Sequence, residues 1–450
     1  MPTDGVWQGR PPGLPGTVPP PSVPISFLAA ASLGLIACGA ALIWARGAAP
    51  ADPTADQVVA AAHLGMLATL SMGVLGALHQ FTPVVTGRPL RSVLLARLTF
   101  LAWLAAAWVL PLGIAVEQES VVEVGGALAA VAIALLVVNL SSALSTRGKG
   151  APVVGLRFCL AGFVATGCFG VLYVADRRGN WFDLSGHVVL AHAVVGLFAW
   201  LGLAYVAVSQ KLWPMFFLAH VPGRHRAGQV AVWAVPIGVA LLSPGLLAGL
   251  VPLAAAGATV LTVGLCAHLV SLLTHLRHRR RSRDLHLTFV VTSAGWLVVG
   301  AALALAAAVV LPGHEHVGMD LVAAAVAAFG GWLLEALVGH AYKVVPFIAW
   351  SALRAKGISN GPTGKPLLFA DLYDHNWAWG TYVTVTGGIA SLSAGLGAGL
   401  PAMIALGGGL FIATGLVTAA NLSVTPARML STTPAGQPAG GIAANVPAAS

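Results

Sequence analysis

Long apolar runs, each followed by a short polar segment, make up most of the chain between its two ends. An α-helix rises about 1.5 Å per residue, so about 20 apolar residues are needed to cross the hydrocarbon core of a bilayer. Twelve runs reach that length, and the pattern predicts an all-α, polytopic membrane protein with twelve transmembrane helices. The predicted spans are 25–46, 57–85, 92–116, 121–145, 154–175, 185–217, 227–249, 251–275, 287–311, 318–349, 376–396 and 399–422.

The two ends of the chain lack such runs. Residues 1–24 and 423–450 are rich in proline, alanine and glycine, so both are predicted to be disordered segments that flank a membrane domain at 25–422. The first apolar run begins well inside the chain and has full span length. No cleavable signal peptide is therefore predicted.

The amino-acid composition indicates which kind of partner the chain contacts. Of the 450 residues, 58% are hydrophobic and only 8% are charged, whereas soluble domains carry about 25% charged residues. The net charge of +9 comes from basic residues in short loops between apolar runs, where they orient a protein in the bilayer. We therefore predict the lipid bilayer as a partner and no nucleic acid.

Basic residues lie on alternate loops, which predicts the orientation. The basic residues of the loops after the even-numbered spans 2 to 10 include Arg88, Arg91, Arg147, Lys149, Arg224, Arg226, Arg277, Arg283, Arg354, Lys356 and Lys365. The opposite loops are mainly acidic, with Arg177 and Arg178 as exceptions. Because cytoplasmic loops carry the excess of Lys and Arg, both termini are predicted to be cytoplasmic, in a cytoplasmic (inner) membrane.

A similar proline-containing sequence motif occurs near the end of three predicted spans. The similar segments are LHQFTPVV at 78–85, VSQKLWPMF at 208–216 and VGHAYKVVPFIAW at 338–350. Their prolines, Pro83, Pro214 and Pro346, lie at nearly equal intervals in the sequence, with four spans to each interval. Because proline cannot extend the backbone hydrogen-bond ladder, we expect each to end its helix at the inner surface. The interval from Pro83 to Pro214, here called the repeat period, predicts three four-helix units, with the second span of each forming an inner wall.

The segment AHLGMLATLSMGVLGALHQFTPVVTGRPL at 62–90 places Pro83 twenty positions after His63. With the repeat, it resembles subunit I of the haem-copper oxidase superfamily, which includes cytochrome oxidases and nitric oxide reductases. The resemblance covers the span pattern of 25–422, and at residue level it is confined to the ends and histidines of spans 2, 6 and 10. The GHxYKxxPFxxW pattern is also similar to shorter oxidase-like membrane proteins.

This resemblance implies twelve helices in three pseudo-symmetric four-helix arcs. It further implies an oxidoreductase function in electron transport, with haem and/or copper as cofactor and a cytochrome or quinol as electron donor. Span 7 has no histidine, whereas the family's copper centre takes two from that helix. We therefore expect the binuclear centre to be incomplete.

Four histidines are candidate metal ligands. His63 and His192 lie about 9 and 10 Å below the outer boundary by helix rise, and neutral imidazole binds haem iron or copper. The alternative for both is a buried imidazole that bonds a neighbouring helix. His187 lies about 140° around the helix from His192 and could instead be a surface residue. His316, in LPGHEHVGMD, could belong to an ordinary polar loop.

Three residues near the inner side are candidates for proton transfer. Glu335 lies about 26 Å into span 10 by helix rise, where an ionised carboxylate is costly. Tyr342 follows seven positions later on the same helix face, and Lys343 lies close to the membrane boundary. The alternative for Glu335 is a structural pair with a basic group.

Three function classes follow from these residues. The first is a haem- or copper-binding membrane redox protein that uses His63 and His192. The second is a proton-coupled transporter or metal permease that uses Glu335, His340 and Lys343. The third is a non-catalytic assembly or sensor subunit.

Overall fold

The structure, a computed structural model, describes residues 18–148, 150–179, 188–222, 226–361 and 364–431. Twelve long helices, numbered α1 to α12, account for most of these residues. They are α1 Ser22–Ala45, α2 Asp56–Thr86, α3 Val93–Ala115, α4 Glu119–Leu144, α5 Ala151–Gly179, α6 Val188–Phe217, α7 Arg226–Leu247, α8 Val251–Arg277, α9 Leu285–Val310, α10 Glu315–Ala355, α11 His375–Gly397 and α12 Pro401–Ser431.

Between α10 and α11 the chain forms a short 3-10 turn, Phe369–Leu372. An isolated bridge between Asn360 and Pro366 also lies in this connection. The described part of the chain is therefore all-helical, as its hydrophobic pattern predicts.

Eleven of the described helices are long and apolar enough to cross a membrane. The twelfth, α11, has 23 residues, which is sufficient length, but Gly, Ser and Thr make it less apolar. Large apolar side chains such as Leu94, Leu305 and Val309 are exposed on the helix surfaces, as contact with lipid requires. The chain is a multi-pass membrane protein whose outer surface meets lipid.

Most helix bounds agree with the predicted spans to within four residues. The tenth and twelfth helices are longer than predicted, since α10 begins at Glu315 and has 41 residues, and α12 continues to Ser431. Helix α1 begins at Ser22, inside the segment predicted to be disordered. Residues 1–17 and 432–450 lie outside the described residues, so disorder there stays a prediction.

The prediction that the three prolines end their helices is wrong. Helices α2 and α6 continue for three residues past Pro83 and Pro214 and end at left-handed residues, Gly87 (φ 68°) and Leu218 (φ 50°), whose N–H groups donate to the proline carbonyls. Helix α10 continues for nine residues past Pro346. Proline removes only its own N–H donor, so later residues can still bond to the preceding turn where neighbouring helices hold the segment.

Three helices form the interior. The membrane-crossing windows of α2, α6 and α10 are 50%, 61% and 61% buried, against at most 44% for the other eight counted spans. These three helices contact one another. Around them, α1 packs on α2 and α12, α11 on α10 and α12, α3 on α4, α5 on α4 and α6, α7 on α8, and α9 on α10.

Two of the interior helices contain a π-helical segment. The segments are Leu64–Ser71 in α2 and Val195–Gly202 in α6, and their first residues are separated by the repeat period, the interval from Pro83 to Pro214. Helix α10 is α-helical throughout. Because π-helical turns are frequent at functional sites, the residues next to these two segments are candidates for a functional site.

Glycines on neighbouring helices allow close approach to both π-helical segments. Gly34 of α1 lies against the carbonyl of Ala68, and Gly162 of α5 lies against the carbonyl of Ala199. A Cβ at either glycine would overlap that carbonyl oxygen. Ala68 and Ala199 are also separated by the repeat period, whereas the two glycines are offset from it by three residues.

A hydrogen bond joins the two π-helical segments. The indole Nε1 of Trp200 donates to Ser71 Oγ at 2.9 Å, and both side chains are buried. Trp200 also stacks on Phe163 of α5, with ring centroids 3.8 Å apart. On the other side, Trp103 of α3 donates to the carbonyl of Leu67 at 3.1 Å. These contacts fix the relative position of α2 and α6 next to their histidines.

Candidate histidine and carboxylate sites

The structure brings His63 and His192 together. His63 is the last residue before the π-helical segment of α2, and His192 lies three residues before that of α6. Their ring centroids are 6.4 Å apart, with an angle of 16° between the ring planes. Two imidazoles from repeat-related helices therefore face each other at one level of the bundle.

The hydrogen bonds of His63 leave one ring nitrogen for another partner. Its Nδ1 lies 2.8 Å from the carbonyl oxygen of Val59, and because a carbonyl only accepts, Nδ1 donates. The lone pair is then on Nε2, the arrangement typical of metal-binding histidines. His192 Nδ1 is buried without a hydrogen-bond partner among the described residues. Next to the His192 ring lie Phe169, at 5.6 Å between centroids, and Gly170.

The spacing of the two rings fits two kinds of contact. Offset-stacked aromatic rings have centroids about 4.5–7 Å apart, and the 6.4 Å between His63 and His192 lies in that range. A metal ion held by one nitrogen of each ring, at about 2.1 Å, would separate the ring centres by up to about 6.5 Å. His63 and His192 therefore form an imidazole pair whose separation leaves room for one ion between the rings.

A second histidine pair does not fit this arrangement. His286 and His340 have ring centroids 4.8 Å apart with planes at 82°, which is edge-to-face packing. Among the described residues no group of three or more His, Cys, Asp or Glu could hold a metal ion. We therefore interpret this pair as packing.

Of the other two predicted metal ligands, only His316 lies among the described residues. His187 lies outside the described residues. His316 is in the first turn of α10, 69% exposed, with Nε2 3.8 Å from Asp320 Oδ2. No described contact connects it to His63 or His192, so its role as a ligand stays a prediction.

Glu335 is buried at the interface of α9, α10 and α11, with 0% exposure. Its Oε1 accepts a hydrogen bond from Thr386 Oγ1 of α11 at 2.9 Å. Its Oε2 has no partner among the described residues, and Trp296 of α9 lies beside it outside hydrogen-bonding geometry. No described Lys or Arg lies within ion-pair distance, so the alternative of a structural ion pair is not supported here.

Tyr342 and Lys343 point to different neighbours. The Tyr342 hydroxyl lies 2.8 Å from Thr381 Oγ1 and accepts from Asn421 Nδ2 at 3.4 Å. Lys343 Nζ lies 2.6 Å from Asp284 Oδ2, in the loop before α9. Tyr342 thus faces α11, as Glu335 does, while Lys343 forms its ion pair with Asp284 at the start of α9. The three predicted catalytic residues therefore do not share one site.

Asp284 holds Lys343 in place. Its Oδ1 accepts from the backbone N–H of Leu287 and caps α9, and its Oδ2 also accepts from Arg281 Nε at 3.0 Å. Burial raises the pKa of the Asp284 carboxyl, but the hydrogen bond and positive charge of Lys343 outweigh it, and the pKa is lowered overall. The Asp284 carboxylate is therefore ionised at neutral pH, and its contact with the Lys343 ammonium indicates a structural role for Lys343.

The sequence interpretation missed a line of hydroxyl groups between α10, α11 and α12. Thr414 Oγ1 of α12 donates to Thr384 Oγ1 at 2.9 Å, and Thr384 Oγ1 donates to the Thr381 carbonyl at 3.1 Å. Thr386, on the same helix, reaches Glu335. The signal was the low hydropathy of α11, whose sequence TYVTVTGG repeats threonine within one span.

Comparison of the sequence with models of known protein families finds no match, and no curated protein matches it. The functional argument therefore depends on the residues and their geometry.

Proposed function

We propose that this chain is a membrane redox protein, related to subunit I of the haem-copper oxidases, that holds a haem or a copper ion between His63 and His192. One observation carries the proposal. Two imidazoles from different interior helices lie nearly parallel, 6.4 Å apart, and the hydrogen bond to Val59 leaves His63 Nε2 as a ligand. A pair of imidazole ligands would suit a haem iron or a copper ion.

Helix packing supports the three-arc arrangement that the oxidase resemblance implies. Consecutive contacts join α11, α12, α1 and α2 in one group and α3, α4, α5 and α6 in a second. In the third group, α7 packs on α8 and α9 packs on α10. The last helix of each group, α2, α6 or α10, contacts the other two in the interior. The proposal therefore includes three arcs around these helices.

A bound haem or copper would supply one-electron transfer, with its potential set by the ligands and the surrounding polarity. The residues of this chain would orient the ligands, because the Trp200–Ser71 bond and the Phe163 stack hold α6 against α2 and α5. A cytochrome or quinol donor, cytoplasmic termini and an inner-membrane location belong to the same proposal. A complete binuclear centre is not part of the proposal, because α7 contributes no histidine.

The test is an absorption spectrum together with metal analysis of the purified protein. We expect a Soret band if haem is bound, or near-stoichiometric copper without that band. His63→Ala and His192→Ala should each abolish the signal. The matched control is His278→Ala, because His278 makes the same contact to a carbonyl one turn earlier but is exposed. A folded, colourless and metal-free protein would overturn the proposal.

A proton-coupled transporter is the second candidate, and Glu335 favours it. A carboxyl group at 0% exposure with no described basic partner is costly inside a membrane, so such groups usually serve a function. Thr386 Oγ1 donates to its Oε1, and the hydroxyls of Thr384, Thr414 and Tyr342 take part in separate contacts among α10, α11 and α12. Thr386 is the group placed to pass protons to and from the carboxyl.

Proton uptake by the protein in liposomes tests this candidate. Glu335→Gln should abolish the uptake and Thr386→Val should reduce it, while any absorption band is unchanged. Thr259→Val is the control, since Thr259 is exposed and bonds only within its own helix. Equal uptake by all four proteins would refute transport. If the metal test fails as well, the assembly or sensor subunit is the remaining class.

A further inference from the structure

Two open grooves lie at equivalent positions of the repeat. The first, of about 360 Å³, lies between α1 and α3 and includes Ser26, Phe27, Arg97 and Phe100. The second, of about 320 Å³, lies between α5 and α7 and is lined by Val154, Arg157, Phe158 and Trp233. In the repeat, α5 and α7 correspond to α1 and α3, so the two grooves are related by the same four-helix shift as the prolines.

The aromatic walls of the two grooves have nearly the same geometry. Phe27 and Phe100 have ring centroids 5.0 Å apart with planes at 74°. Phe158 and Trp233 have centroids 5.0 Å apart with planes at 72°. Phe27 and Phe158 are separated in the sequence by the repeat period. The aromatic pair therefore recurs in both units, whereas the arginine comes from α3 in the first groove and from α5 in the second.

Each groove contains one exposed arginine and no acidic residue among the described residues that line it. Arg97 makes no hydrogen bond or ion pair with the described residues. Arg157 donates from Nε to the Leu144 carbonyl at 2.9 Å and from Nη2 to the Thr146 carbonyl. A guanidinium has five N–H donors, so both arginines keep donors for an anion.

The depth of the arginines matches the boundary between headgroups and acyl chains. Helices α1, α3, α5 and α7 all begin on the same side of a multi-pass bundle. Arg97 and Arg157 lie four and six residues after the first residues of α3 and α5, or about 6 and 9 Å by helix rise. A long arginine side chain at this depth extends to the headgroups, while the aromatic pair lies beside the upper part of an acyl chain.

We propose that the two grooves are binding sites for an anionic phospholipid, one lipid in each. The phosphate accepts hydrogen bonds from Arg97 or Arg157, and one acyl chain packs against the accessible rings, Phe100 in the first groove and Phe158 and Trp233 in the second. Basic pockets between transmembrane helices bind lipid headgroups in this way. Charge selects an anionic lipid over a zwitterionic one, because neither lining offers a carboxylate to pair with a choline or ethanolamine group. The proposal is independent of any metal centre.

The test is native mass spectrometry of the full chain after exchange into vesicles of phosphatidylglycerol or of phosphatidylcholine. Wild-type protein should retain two phosphatidylglycerol molecules and no phosphatidylcholine. Arg97→Gln and Arg157→Gln should each retain one, and the double variant none. Arg283→Gln is the matched control, because it removes the same charge from an exposed loop on the same side and should retain two.

Four outcomes would overturn the proposal. They are equal retention of both lipids, two phosphatidylglycerols on the double variant, loss of a lipid in Arg283→Gln, and displacement of the lipid by an equal concentration of inorganic phosphate. Arg97→Lys is the control for misfolding. It keeps the positive charge and should retain the lipid with an unchanged melting temperature. Loss of the lipid in Arg97→Lys together with a lower melting temperature would assign the effect to folding and contradict the assignment.

Discussion

Asp284→Asn should destabilise the protein because it leaves Lys343 as an unpaired buried cation. The Lys343 side chain is 9% exposed and its ammonium lies 2.6 Å from Asp284 Oδ2. Asparagine keeps the carbonyl oxygen that caps α9, so the substitution removes the charge and little else. The effect therefore measures the ion pair itself.

The burial of the two side chains determines how much unfolding free energy Asp284→Asn should cost. Removing one partner of a fully buried pair costs about 3–5 kcal/mol, whereas an exposed pair contributes about 0.2–1 kcal/mol. Asp284 is 29% exposed, so solvent screens part of the interaction and we expect a loss of about 2–3 kcal/mol in unfolding free energy. Lys343→Met added to Asp284→Asn should recover much of it, because no unpaired charge then remains.

Equilibrium unfolding in mixed micelles, arranged as a double-mutant cycle, provides the assay. Arg281→Gln is the control, since Arg281 contacts the same carboxylate from a more exposed position and should cost under about 1 kcal/mol. If Asp284→Asn costs no more than Arg281→Gln, or if the double variant is less stable than Asp284→Asn alone, Lys343 is not held by this pair and the reasoning is refuted.

The same pair predicts a pH dependence. The pKa of Asp284 is lower in the folded protein than its ordinary value, so the stabilisation is present above about pH 4. It is lost as pH falls through the lowered pKa and the carboxyl takes up a proton. Acid should therefore destabilise wild-type protein more steeply than Asp284→Asn, which melting temperatures measured across this range would show.

Three further substitutions test the packing of the interior. Trp200→Phe should keep the ring stack but lose the hydrogen bond to Ser71. A double-mutant cycle with Ser71→Ala should give a coupling free energy of about 0.6–1.7 kcal/mol. A coupling of zero would contradict the hydrogen bond. Gly162→Val should strongly lower the melting temperature, because the added Cβ overlaps a π-helical carbonyl, whereas Gly126→Val meets open space and should not. Ser92→Ala removes the side chain that caps α3 and should cost about 1 kcal/mol in unfolding free energy; an unchanged value would show that the cap is not needed.

The repeat could be predicted because each proline and its neighbours form a short motif, and the interval between copies is counted directly along the sequence. The repeat period reappears in the π-helical segments, in Ala68 and Ala199, which contact glycines of neighbouring helices, and in Phe27 and Phe158 of the two grooves. The prolines nevertheless do not end their helices. Neighbouring helices hold the turns that follow, and a single-helix rule cannot include that contribution.

Less of the candidate sites could be predicted from the sequence. Helical periodicity placed Glu335 and Tyr342 on one face, and both do contact threonines of α11. It could not identify Asp284 as the partner of Lys343, since 59 residues separate them and no short-range pattern relates the two. For the same reason the mutual distance of His63 and His192 required coordinates, although helix rise placed both at similar depth.

The sequence by itself determined that this is an all-helical, multi-pass membrane protein, because the length and apolarity of each span are properties of one contiguous segment in contact with lipid. The tertiary structure alone decided which buried polar groups are paired. It joined Lys343 to Asp284, left Glu335 without a described basic partner, and set the two imidazoles 6.4 Å apart. These outcomes depend on the rotation and separation of helices that are distant in the chain, which packing fixes and span hydrophobicity does not.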